Sequence, residues 1–315
     1  MVLKVLNIMK HLNEYSFSIF VIIFTLFNIA LGAIVRATGS GAGCGVSWPS
    51  CNGQIVVSGD SHHELIEYAH RISSGIDLLL VAILLFVILK FFDSRVTKIL
   101  ASLSFCFILI EAGIGALIVL FQWVAEDASL GRSIIVPFHL INTFFLMFFL
   151  VATSWSLLQQ KSISFKYDLI NQKYWKNFLF GIVFFFFLSI SGATTALADT
   201  LFSVGDLKSE FLMDISSRAH LLTRIRILHP LIAILTLVWL IIYSQKIAII
   251  YDILILRKLS LLVVVFFLIE FLVGVLNVIL LTPLFLQIAH LLLAHLIWIA
   301  LVLFLLEGLK HFQYK

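Results

Sequence analysis

Glu111-Ala-Gly-Ile-Gly115-Ala-Leu117-Ile-Val119 and Glu270-Phe-Leu-Val-Gly274-Val-Leu276-Asn-Val278 share a glutamate, a glycine, a leucine and a valine at one fixed offset of 159 residues. His70 and His229 are also 159 apart, and Gly32-Ala33 and Gly192-Ala193 are 160 apart. Self-similarity at a fixed offset marks an internal structural repeat. The chain therefore reads as a duplicated unit with a histidine at an equivalent place in each copy.

The medium around that unit follows from composition. Of 315 residues, 62% are hydrophobic and 12% charged, whereas soluble domains carry roughly 25% charged residues. Runs of about 20 apolar residues cross a bilayer as helices. Eight such runs lie near 16–36, 64–90, 98–121, 134–158, 176–198, 221–245, 259–281 and 284–306. The expected fold class is an all-α integral membrane protein with eight transmembrane helices. The first run exceeds the core of a removable signal peptide and no clear cleavage site follows it, so it reads as a retained helix.

Lysine and arginine give the orientation. Fourteen flank one side, among them Lys4, Lys10, Lys90, Arg95, Lys98, Lys161, Lys166, Lys173, Lys176, Lys310 and Lys315; Arg132, Lys208 and Arg218 flank the other. The positive-inside rule places both termini in the cytoplasm. The net charge of +4 follows from this loop bias and implies no nucleic-acid partner.

With that orientation every even-numbered helix starts outside. His70, His139, His229 and His290 then lie early in helices 2, 4, 6 and 8, at similar depth. Ionisable residues inside a membrane are rare and mostly functional. Two imidazoles facing each other across a helix bundle suit axial ligation of haem iron. Zinc or copper also accepts imidazole, but no carboxylate or thiolate cluster completes a tetrahedral site. His295 competes with His290; five residues put the two roughly 140° apart on a helix, so they cannot share a centre. His290 matches the depth of the others better.

The halves differ in two ways. Glu67 stands three residues before His70 on one helical face, as a proton acceptor beside the site or as a member of an interfacial ion pair. Its counterpart is Arg226, which cannot act as a base but is able to pair with haem propionates or other anions. The loop after helix 1 carries Cys44 and Cys51, which are able to form a structural staple or a redox-active pair; nothing similar follows helix 5. Cys106 reads as a packing residue, His62 and His63 as solvated, and His220 as facing water or headgroups. Glu111 and Glu270 read as helix-packing or pocket residues. A dihaem b-type electron-transfer cytochrome shares the four histidines, and a transporter shares the repeats.

The residues also resemble a family. Gly32-Ala-Ile-Val-Arg36-Ala-Thr38-Gly-Ser-Gly-Ala-Gly-Cys44, Trp48-Pro49, Cys51-Asn-Gly53, Ile66-Glu67-Tyr-Ala-His70-Arg71, Phe138-His139-Leu-Ile-Asn142, Asp199-Thr-Leu-Phe, Arg224-Ile-Arg226-Ile-Leu-His229-Pro230 and Ala289-His290 occur in the order seen in haem A synthases of the cysteine-pair branch. The resemblance implies two pseudo-symmetric four-helix bundles, residues 1–160 and 161–315, in the plasma membrane. It implies a haem b held by His229 and His290, and haem O as substrate between His70 and His139. Glu67 maps to the family's essential acid, and Cys44 and Cys51 to its loop cysteine pair. The implied reaction oxidises the C8 methyl of haem O to a formyl group, giving haem A for cytochrome oxidase. A complex with a haem O synthase and a homo-oligomer are further expectations.

Overall fold

The computed structural model describes residues 2–57, 59, 61–159, 172–202, 205–216 and 219–311, with side chains from residue 13 to 310. Lys161, Lys166, Arg218, Lys315 and the expected boundary at 160/161 lie outside the described residues, and the side chains of Lys4 and Lys10 are not described.

Nine α-helices form among the described residues: α1 (Val2–Ala37), α2 (His62–Phe91), α3 (Arg95–Leu120), α4 (Leu130–Leu157), α5 (Lys173–Leu201), α6 (Leu207–Asp214), α7 (Leu221–Tyr251), α8 (Leu254–Ile279) and α9 (Leu284–His311). All but α6 are long and apolar enough to span a membrane. The chain is a multi-pass membrane protein. Most of its large exposed side chains are Leu, Ile, Val and Phe, as a lipid-facing surface requires.

The spans start where sequence chemistry allows. Ser61 accepts a hydrogen bond from the Glu64 amide, Ser94 from Thr97 and Ser129 from Arg132. Each such cap satisfies an otherwise orphaned N–H. His220, expected to face water, caps α7 by accepting from the Leu222 amide. The helices overrun the expected spans: α7 continues to Tyr251 and α8 begins at Leu254. Hydropathy reports only the stretch in hydrocarbon, while backbone hydrogen bonding carries the helix beyond it.

α1 packs on α2 and α4, and α3 on α2 and α4. In the second half α5 packs on α7, α7 on α8, and α8 on α9. The halves meet through α4 against α5 and α9, and through α1 against α9. Aromatic rings fill this seam: Trp298 stacks on Phe185, and Phe144 meets both edge-on. Without a hydrophobic drive between helices in lipid, close contact depends on small residues. Gly308 leaves room for the Trp175 ring, which any Cβ there would strike. Cys106 corrects its expectation: it is exposed on α3, not packed. In a uniformly apolar helix the sequence does not mark the inward face.

Candidate functional site

The alternation of spans puts the first turns of α2, α4, α7 and α9 on one side. His70 lies eight residues beyond the start of α2, His139 nine beyond that of α4, His229 eight beyond that of α7 and His290 six beyond that of α9. At 1.5 Å per residue these positions are about 9–14 Å along each helix from its start.

His229 and His290 face each other with ring centroids 6.4 Å apart and planes at 90°. Imidazole nitrogen binds a first-row metal at about 2.0–2.1 Å, and the ring centre lies roughly 1.1 Å further, so rings on opposite sides of one metal have centroids about 6.3 Å apart. The centroid spacing therefore matches that of two imidazoles on one metal. The rings are seated by glycines. A Cβ on Gly192 would meet His229 Cε1 at 3.0 Å, and one on Gly274 would meet His290 Cε1 at 3.2 Å. In the first half a Cβ on Gly32 would meet His70 Cε1 at 3.0 Å. The repeated Gly-Ala thus marks the same feature twice, a close backbone approach at which any Cβ would press on the imidazole.

The repeated glutamates lie behind the histidines of α4 and α9. Glu111 Oε1 is 3.3 Å from His139 Nδ1, and Glu270 Oε1 is 3.1 Å from His290 Nδ1. Neither contact has the alignment of a full hydrogen bond. Glu111 is further held by Asn142 Nδ2 at 2.5 Å and Thr143 Oγ1 at 2.6 Å. Ser191 Oγ lies 3.0 Å from His229 Nδ1. His295 turns elsewhere: it is fully buried, stacks on Phe144 at 4.5 Å, and pairs its Nδ1 with the Leu291 carbonyl at 2.8 Å.

Beside His70, Glu67 is 3% exposed and accepts three hydrogen bonds: Cys44 N at 2.8 Å, Arg71 Nε at 3.1 Å and Arg71 Nη2 at 2.6 Å. Arg71 Nη1 also donates to the carbonyls of Ser47 and Ser50. Both the expected ion pair and a clamp on the loop are present. Cys44 and Cys51 form a disulfide. Glu64, three residues after the Ser61 cap, lies under it and accepts from Asn52 Nδ2 at 3.1 Å. His63, expected to be solvated, places Nδ1 3.0 Å from Ser40 Oγ.

In the second half Arg226 meets carboxylates: Asp199 at 2.8 Å, Asp214 at 2.6 Å and Glu210 at 3.7 Å. It fastens α6, an element the sequence does not reveal. Arg36, at the end of α1, reaches across to the second half. It donates to the Ala196 carbonyl, to Thr200 Oγ1 and to Gln287 Oε1 at 2.7–2.9 Å.

The sequence has relatives. Over an alignment of 299 positions that takes in 92% of this chain, it is 35% identical to a Thermus thermophilus protein named protoheme IX farnesyltransferase, of which it covers 47%. Over 107 residues, 34% of the chain, it is 38% identical to a heme A synthase of Exiguobacterium sibiricum, covering 36% of that protein. Over 86 residues, 27% of the chain, it is 48% identical to a heme A synthase of Bacillus mycoides, covering 28% of it. The chain thus spans about half the length, or less, of these curated relatives. The COX15-CtaA profile, described as cytochrome oxidase assembly protein, matches residues 15–302. The chain belongs to the COX15-CtaA family.

Proposed function

We propose that this protein is a haem A synthase that oxidises the C8 methyl of haem O to a formyl group by successive hydroxylations. The observation that carries the reading is the His229–His290 pair at 6.4 Å, echoed by His70 and His139 at matching depth beside Glu67. In this reading residues 161–315 form a four-helix bundle in which His229 and His290 hold a haem b. Residues 1–160 form the other bundle, where His70 and His139 seat haem O. The heme A synthase names of two relatives support it.

The bound haems supply one-electron chemistry. The chain supplies position and charge. Gly32 and Gly192 let the backbone approach the imidazoles, and Glu111 and Glu270 back the rings of His139 and His290. Glu67, anchored by Arg71 and the Cys44 amide, takes a proton from the reacting methyl or balances positive charge there. Water then adds to the oxidised carbon and loses a proton, and the electrons removed pass on to a one-electron acceptor outside the chain. The Cys44–Cys51 staple holds the loop whose amide fixes Glu67.

The Thermus relative bears a farnesyltransferase name, and this chain covers under half of it. That supports a handover of haem O from a haem O synthase in complex with this protein. Both termini face the cytoplasm of the plasma membrane in this reading.

The test is co-expression with a haem O synthase, then acid-acetone extraction and mass spectrometry of the haems. Haem A or a hydroxylated precursor is expected. Haem b alone, with haem O abundant in the membrane, would favour an electron-transfer cytochrome. Glu67→Gln should keep its haem and lose about 10²–10⁴-fold in turnover, the usual worth of a positioned acid or base. Normal turnover would refute the role of Glu67.

A further inference from the structure

Asp77 is 1% exposed in the middle of α2. It lies seven residues, about 10 Å, beyond His70 on nearly the same helical face. Thr25 Oγ1 donates to its Oδ1 at 2.9 Å, and Asn28 is its second polar neighbour. Asn28 Oδ1 in turn accepts from Ser73 Oγ at 2.7 Å and Ser74 Oγ at 3.2 Å, and both hydroxyls also reach the His70 carbonyl. A polar ladder thus runs from the backbone of His70 to a carboxylate deep in the span. Among the described residues no cation pairs with Asp77. Burying a carboxylate is costly unless it is paired, well hydrogen-bonded or protonated, and such residues in a membrane are usually functional.

The second half lacks this ladder. At the repeat offsets Thr25, Asn28, Ser73, Ser74 and Asp77 become Phe185, Leu188, Ile232, Ala233 and Thr236. Below Asp77 the first half continues with buried hydroxyl pairs: Ser18 with Ser154 at 3.0 Å, Ser104 with Thr153 at 3.5 Å, and Thr97 with Ser156 at 3.2 Å. Thr97 lies in the first turn of α3, at the lysine-rich end. The counterparts of Ser18, Ser104 and Thr97 are the core residues Phe178, Val263 and Leu256. The second half buries hydroxyls of its own, at Thr236, Ser244 and Ser260, but the position matching Asp77 holds no carboxylate there.

We propose that Asp77 is a second proton-exchanging group of the first-half site, distinct from Glu67, binding one proton when an electron enters the centre held by His70 and His139 and releasing it when the electron leaves. The proton joins the carboxylate as an O–H. In turnover the electron comes from the methyl being oxidised and leaves to a one-electron acceptor outside the chain; in a redox titration a mediator supplies and removes it. Each hydroxylation by water releases two electrons and two protons, one proton from the methyl and one from the water, so an acceptor besides Glu67 answers a need of the chemistry. The inference rests on the proposed haem site at His70 and His139. The groups facing Asp77 are Thr25 and Asn28 from α1 and, at electrostatic range, Glu111 from α3.

The experiment is a mediated redox titration of the full chain loaded with haem O, followed by the optical spectrum at several pH values. Wild type should show a first-half midpoint potential that falls as pH rises, approaching 59 mV per tenfold change in proton concentration. Asp77→Asn should flatten that slope and leave the second-half haem unchanged, and Asp77→Glu should restore it. A pH-independent wild-type potential, or an unchanged slope in Asp77→Asn, overturns the inference and leaves the haem reading intact. Absence of a second haem signal overturns both. If Asp77→Asn does not accumulate, redox-difference infrared spectra decide. A carboxyl band that shifts between wild type and Asp77→Glu supports the proposal, and no carboxyl band refutes it.

Discussion

Glu270 places Oε1 3.1 Å from Nδ1 of His290, and the same relationship recurs between Glu111 and His139 at 3.3 Å. A carboxylate behind the far nitrogen of an imidazole fixes the ring and raises its basicity as a ligand. Glu270→Ala is expected to lower haem retention in the second half by about 10–100-fold, the usual cost of losing such a partner. Glu270→Gln should recover part of it. Haem content after gel filtration, by pyridine haemochromogen, checks both.

Glycine contacts predict damage confined to one half. A side chain on Gly192 must displace His229, and one on Gly32 must displace His70. Gly192→Val should remove the second-half haem. Gly32→Val should leave that haem in place and abolish oxidation of haem O. Optical spectra and extracted haem products of the two variants separate these outcomes.

Arg226 predicts a stability defect. Its loss leaves the carboxylates of Asp199 and Asp214 without their cation in a half-dry setting. Breaking such a buried pair costs about 3–5 kcal/mol. Arg226→Ala should lower the melting temperature in detergent, while Asp214→Asn should lower it less, because one bonded oxygen survives. Thermal unfolding followed by tryptophan fluorescence measures both.

The disulfide is expected to govern the loop more than the spans. Closing so short a loop contributes about 2.5 kcal/mol by the chain-entropy model. Cys44→Ser with Cys51→Ser should make residues 44–57 more sensitive to externally added protease and should slow turnover, because the Cys44 amide holds Glu67. Haem b content of the second half should not change. Limited proteolysis and haem analysis on the same sample test this.

Much of this architecture is legible in the sequence, for identifiable reasons. Hydropathy gives the eight spans because lipid forces each to satisfy its own backbone. The 159-residue offset pairs Glu111 with Glu270 and His70 with His229 because duplication preserves spacing. It does not say that Glu111 touches His139, which sits on another helix; contact between helices depends on their rotation, which periodicity leaves free. Gly32 and Gly192 are visible as repeats, but their purpose appears only once a histidine from the neighbouring helix lies over them. The α6 helix escapes because a short run of mixed residues carries little pattern and owes its position to Arg226. Asp77 is invisible at that level because a single acid within an apolar run has no motif; Thr25 and Asn28, on another helix, give it meaning.

The reach of Arg36 bears on how the protein is made. Its partners on α5 and α9 lie 160 to 251 residues further along the chain. At translation rates of about 5–20 residues per second, α1 waits roughly 10–50 seconds before Gln287 is synthesised. During that interval the guanidinium has only headgroups and water to satisfy it, and the first four spans are held in a provisional arrangement. Arrival of the last helix is then a closing step for the whole molecule. A fragment ending before α5 would remain indefinitely in that unfinished state, an arginine at its edge still seeking the carbonyl and amide oxygens it was built to meet.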